Sequence, residues 1–104
     1  HVRSRRQRQM CIRDRYQRGL LYVDFGRSEK AISDFEAAVR TDPQHLDARL
    51  RIAAILHEGR DVEKAATAWR QVLDVDSQNR LARRRLEECR EQINTKREAL
   101  VPKD

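Results

Sequence analysis

The sequence predicts an all-α fold of antiparallel helix-turn-helix repeats, two units plus a C-terminal capping helix, stacked into a short solenoid. Three observations predict it. Residues recur at a spacing of 34, pairing Lys30 with Lys64, Ala31 with Ala65, Asp42 with Asp76, Ala48 with Ala82, Arg49 with Arg83 and Arg51 with Arg85. Size classes follow the same shift, as in Leu21 with Ile55, Tyr22 with Leu56, Phe35 with Trp69 and Val39 with Leu73. Only three Gly and two Pro interrupt 104 residues, and hydrophobic and charged residues each make up 38%. That balance suits helices with solvated outer faces around a modest core.

The elements follow in order. Tyr16 to about Phe25 carries apolar residues at 16, 20, 22 and 23, and Gly26 permits a left-handed helix stop. Ser28 is the expected cap of a second helix over about 29–41, with Ala31, Ile32, Phe35, Ala38 and Val39 on one face. Asp42-Pro43 is expected to end that helix and start the next, since proline is tolerated in a first turn. Leu46, Leu50, Ile52, Ala53 and Leu56 build the third helix, closed by Gly59. Asp61 caps a fourth over about 62–74, with Val62, Ala65, Ala66, Trp69, Val72 and Leu73 inward. Asp76-Ser77 is expected to open a last helix running to about 98, with Leu81, Leu86, Cys89 and Ile93 as its apolar stripe. Strand-like alternation, low-complexity tracts and runs long enough to span a membrane are absent from the sequence.

The net charge of +6 would ordinarily point to an acidic partner such as nucleic acid. It is concentrated at one end. Residues 5–15, Arg-Arg-Gln-Arg-Gln-Met-Cys-Ile-Arg-Asp-Arg, resemble the in-frame translation of a transposase-based sequencing adapter. Residues 1–15 are therefore expected to be read-through of adapter DNA, with genuine sequence starting at Tyr16, partway through a gene. The alternative is an arginine-rich arm that contacts phosphates. Six of the 23 basic residues and one of the 17 acidic ones lie in this segment, so 16–104 carries 17 and 16, a net +1. Cys11 falls there too. Cys89 then stands alone, cannot form an internal disulfide, and leaves cytoplasmic and periplasmic locations both open.

Gly19, Tyr22, Ala31, Phe35, Ala38 and Pro43 fall at the spacing of the tetratricopeptide-repeat signature, which the chain resembles over 16–98. In the second unit Ala53, Leu56, Ala65, Trp69, Val72 and Ser77 occupy the matching positions. Small residues let paired helices approach closely, and large ones fill the space between neighbours. The third copy departs from the pattern. It puts Glu87 where Gly19 and Ala53 stand, and Arg90 where Tyr22 and Leu56 stand. A charged face of that kind suits a terminal helix that receives no further repeat. The expected division is two units, 16–45 and 46–79, a capping helix over 78–98 and a tail over 99–104, together the C-terminal end of a longer repeat protein.

Little in the sequence carries chemistry. His45 and His57 are twelve apart without metal-ligand spacing, and His1 belongs to the adapter-like segment. Phosphate loops, nucleophile elbows and isolated carboxylate pairs do not occur. No cofactor, metal or catalytic residue is expected, and Cys89 reads as a buried, inert thiol. The remaining basic cluster, Arg80, Arg83, Arg84 and Arg85, is followed at helical spacing by Glu87, Glu88 and Glu91. Pairs such as Arg83–Glu87 and Arg84–Glu88 would partly neutralise it, at about 0.2–0.5 kcal/mol each. No aromatic platform for bases accompanies these arginines.

The resemblance implies a protein-protein interaction scaffold, not an enzyme, in which the first helix of each unit lines a concave groove for a peptide or partner protein. On the first helix the implied groove residues are Gln17, Leu20, Val23 and Asp24. On the third they are Asp47, Leu50, Arg51, Ala54 and His57, and the terminal helix adds Arg84, Arg85 and Glu88. Members that grip a chaperone's C-terminal carboxylate place Asn where Leu20, Ala54 and Glu88 stand, so such a clamp is not implied. Two other functions stay open at this level: weak nucleic-acid or acidic-partner binding through Arg80–Arg85, and a docking appendage of a larger enzyme.

Overall fold

The computed structural model describes residues 2–59 and 61–100. They form five helices, α1 (Val2–Asp24), α2 (Ser28–Thr41), α3 (Leu46–Glu58), α4 (Val62–Val75) and α5 (Arg80–Leu100), with no strand among the described residues. α1 is continuous across Tyr16, where genuine sequence was expected to begin. Arg, Gln and Met are good helix formers, so the adapter-like residues offer nothing to stop it. α1 ends where Gly26 takes φ 73°. The Arg27 N–H donates to the Tyr22 carbonyl at 2.8 Å, and the Gly26 N–H to that of Val23 at 3.0 Å. This is the double bond pattern of a glycine-terminated helix.

Three expected helix starts are corrected. Ser28 is the first residue of α2 rather than its cap, and Arg27 in the cap position makes no side-chain bond. α3 begins at Leu46, because Asp42 and Pro43 are spent on a turn: the Asp42 carboxylate accepts the Gln44 N–H at 3.2 Å. His45 then caps α3, its Nδ1 accepting the Ala48 N–H at 3.1 Å. The loop 34 residues on does the same. Asp76 accepts from the Gln78 N–H at 3.3 Å, and Asn79, not Asp76 or Ser77, caps α5 by accepting the Ala82 N–H at 2.9 Å. Arg49 and Arg83 each fold back on their loop, donating from Nε to the carbonyls of Pro43 (2.9 Å) and Ser77 (3.1 Å). Asp61 caps α4 as expected, through the Lys64 N–H at 3.1 Å.

The chain divides into two compact units, residues 1–52 and 53–104. In the first, α1 packs on α2, and Ala31, Phe35 and Ala38 are fully buried. Gly19 lies where the two helices meet. A Cβ there would sit 2.6 Å from Cε1 of Phe35, so only glycine fits that crossing. Tyr16 stacks at a tilt beside Phe35 and His45, with centroids at 5.5 and 5.0 Å. Asp34 is buried, and Arg18 grips its carboxylate from Nε (2.9 Å) and Nη2 (2.7 Å). Asp34 in turn drives the Arg18 guanidinium still higher than its ordinary basic range, chiefly through those hydrogen bonds.

In the second unit α4 packs on α5. Its core is Ala65, Ala66, Trp69 and Val72 from α4, with Ala82, Leu86 and Cys89 from α5. Leu81 does not join it and is 47% exposed. Ala82, Leu86, Cys89 and Ile93 follow the three-and-four rhythm of one face, and Leu81 stands about 100° round from Ala82. Glu87 and Arg90 are exposed.

Candidate protein-binding face

The first-unit residues of the expected groove are presented to solvent. Gln17, Val23, Asp24, Asp47 and Arg51 are exposed, and Leu20 and Leu50 are half-buried. None of them makes a side-chain hydrogen bond or ion pair among the described residues.

The second unit is more organised. Ala54 and Arg84 are exposed, but His57, Arg85 and Glu88 are brought together with two core residues. The Trp69 indole N–H donates to Nδ1 of His57 at 3.3 Å, with the two rings edge to face at 5.9 Å. The Cys89 sulfur lies 3.7 Å from the same nitrogen. On its other side, His57 Nε2 faces Oε2 of Glu88 at 3.5 Å, and that oxygen accepts from Nη1 of Arg85 at 3.0 Å. An indole N–H can only donate, so Nδ1 must offer its lone pair and the ring proton belongs on Nε2, toward the carboxylate. His57 is thus a bridge, with one edge in the core and the other at the surface.

Sequence reasoning placed His57, Arg85 and Glu88 on one face and missed the Arg85–Glu88 bond and the approach of His57 to the same carboxylate. Glu88 pairs with Arg85, three residues back, rather than with Arg84. Arg83 is held by the Ser77 carbonyl, not by Glu87. Of the basic run, Arg80 and Arg84 are the exposed members without such a partner among the described residues.

Cys89 is buried, and its thiol is pushed above its ordinary value, first by desolvation and then by the Glu88 carboxylate, with Arg85 opposing. Raised in the folded state, it favours folding fully below the unfolded thiol's value, and that contribution is lost as pH rises past it. Alkylation of native protein by iodoacetamide at neutral pH is expected to be far slower than alkylation in denaturant. Equal rates would mean that the helices open at Cys89 without unfolding.

Among the described residues no group of three or more His, Cys, Asp or Glu could hold a metal, and no helix is long and apolar enough to cross a membrane. Paired helices joined by short turns, recurring at 34 residues with small residues at their crossings, define a class of helical repeat proteins. The sequence model of the tetratricopeptide repeat matches residues 16–79, more than half of the chain, and the protein belongs to the tetratricopeptide-repeat family. No curated protein matches it. The family is in general one of non-catalytic protein-interaction scaffolds.

Proposed function

We propose that this chain binds a peptide or partner protein along the face carried by the first helix of each repeat. In the second unit that face comprises Ala54 and His57 of α3 with Arg84, Arg85 and Glu88 of α5. The observation that carries the reading is the bridge from Trp69 through His57 to Glu88, which fixes polar groups at the surface from the core side. Pre-organised side chains lose less entropy on binding than free ones, and this favours recognition over a merely solvated face. In the first unit the corresponding residues are Gln17, Leu20, Val23 and Asp24 with Asp47, Leu50 and Arg51. Two repeats offer limited area, so binding by this chain alone is expected to be micromolar or weaker.

The test is a double substitution of two exposed residues, Ala54→Glu with Arg84→Glu. A partner recovered on the wild-type chain should bind the double variant at least about tenfold more weakly, the effect of a misplaced charge at an interface. The helical melt should be nearly unchanged. Glu36→Lys with Arg40→Glu, on exposed positions of α2, should leave binding intact. Loss of the partner on the α2 variant and retention on the α3/α5 variant would place the interface elsewhere.

A further inference from the structure

We infer that Arg85 and Glu88 form a charge-balanced reader of amide groups, held in place by His57; this rests on the binding face proposed above. Oε2 of Glu88 accepts a hydrogen bond from Arg85 Nη1 at 3.0 Å, and His57 Nε2 faces the same oxygen at 3.5 Å. Among the described residues nothing engages its Oε1, nor the Nε and Nη2 of Arg85. Both side chains keep about two-fifths of their surface open, 40% for Arg85 and 39% for Glu88. The pair therefore shows solvent an acceptor and a donor side by side, with no net charge.

That arrangement selects by chemistry. A carboxylate would gain from Arg85 and be repelled by Glu88, and a cation would meet the converse. A group with a carbonyl to accept from Arg85 and an N–H to donate to Glu88 satisfies both. An amide is that group, whether from the main chain of an extended segment or from an Asn or Gln side chain. His57 is the positioning residue. Its Nδ1 is anchored by the Trp69 indole N–H, so its Nε2–H can fix the Glu88 carboxylate in one orientation.

The experiment titrates the intact chain with three probes and follows the Arg85 Nε–H signal by NMR. The probes are N-acetylglutamine methylamide, N-acetylalanine methylamide and sodium acetate at matched ionic strength. A saturable shift with the amides and none with acetate is expected. Equal response to both amides assigns the main-chain group, and a stronger response to the glutamine probe assigns the side chain. Glu88→Ala should weaken the amide response about tenfold, as expected for loss of a hydrogen bond to a charged group. His57→Phe should weaken it too, and His57→Gln, which can still accept from Trp69 and donate to Glu88, should restore most of it. Acetate acting as strongly as the amides, or no saturable shift with any probe, would overturn the inference. So would an unchanged response in Glu88→Ala. A partner lost on the Ala54→Glu/Arg84→Glu variant but bound normally by Glu88→Ala would leave the binding face standing and remove the amide reader alone.

Discussion

Trp69→Ala is expected to leave the second unit largely unfolded at room temperature. Trp69 is 1% exposed and is the largest side chain in that core. Truncating a buried Trp typically costs about 3–5 kcal/mol, and whole domains hold only about 5–15 kcal/mol in reserve. A short array has few neighbour contacts to share the loss. The substitution also strips His57 Nδ1, which lies 3.7 Å from the Cys89 sulfur, of its indole donor. Circular dichroism should show a loss of helical signal, and Cys89 should become reactive toward iodoacetamide. Trp69→Phe separates the two contributions. It keeps most of the ring volume but removes the indole N–H, so it should retain a cooperative melt at a lower temperature. A cooperative melt of Trp69→Ala with wild-type helicity would show that α4 does not depend on this residue.

Much of the fold was legible because the same physical task recurs every 34 residues. Asp42 and Asp76 both accept a backbone N–H two residues on, Ala48 and Ala82 are both fully buried, and Arg49 and Arg83 both reach back to a loop carbonyl. These three identities thus mark local constraints that both repeats meet in the same way, whereas Arg51 makes no side-chain bond among the described residues and its equivalent Arg85 binds Glu88. The caps were missed where the task is shared by unlike residues. His45 and Asn79 occupy equivalent positions and make the same bond, one with a ring nitrogen and one with an amide oxygen. The ion pair between exposed Arg18 and buried Asp34 was missed for the same reason in reverse. Arg18 and Asp34 correspond to Ile52 and Ala68, so a charged pair in one repeat stands where the next has an apolar pair. That joint switch was a signal available in the sequence. For the candidate face, helical spacing placed His57, Arg85 and Glu88 on a common side but gave no means of knowing that Trp69 and Cys89 would meet His57. Such contacts depend on how far a core side chain reaches across a helix pair, which spacing along one helix does not encode.

Exchanging glycine and alanine should have opposite consequences for local propensity and for packing at the first helix crossing. Gly19→Ala is favoured by helix propensity alone by about 1 kcal/mol. Packing opposes it, because the added methyl would lie 2.6 Å from Cε1 and 2.9 Å from Cζ of Phe35. That ring is fully buried and cannot swing into solvent. Overpacking a tight core costs about 1–3 kcal/mol, and a contact this short belongs at the upper end, so a net loss of about 2 kcal/mol is expected. For a chain of this size it lowers the melting temperature by about 10 °C. At the equivalent position of the second repeat, Ala53 is fully buried and already carries its methyl. Ala53→Gly should therefore destabilise as well, through propensity and a lost contact acting together. Phe35→Leu in the Gly19→Ala background shortens the obstructing ring and should recover part of the loss, although Phe35→Leu alone is destabilising. The double-mutant cycle then shows a favourable coupling between the two substitutions. A rise in melting temperature for Gly19→Ala would mean that α1 can step away from α2 at little cost and that the crossing does not require glycine.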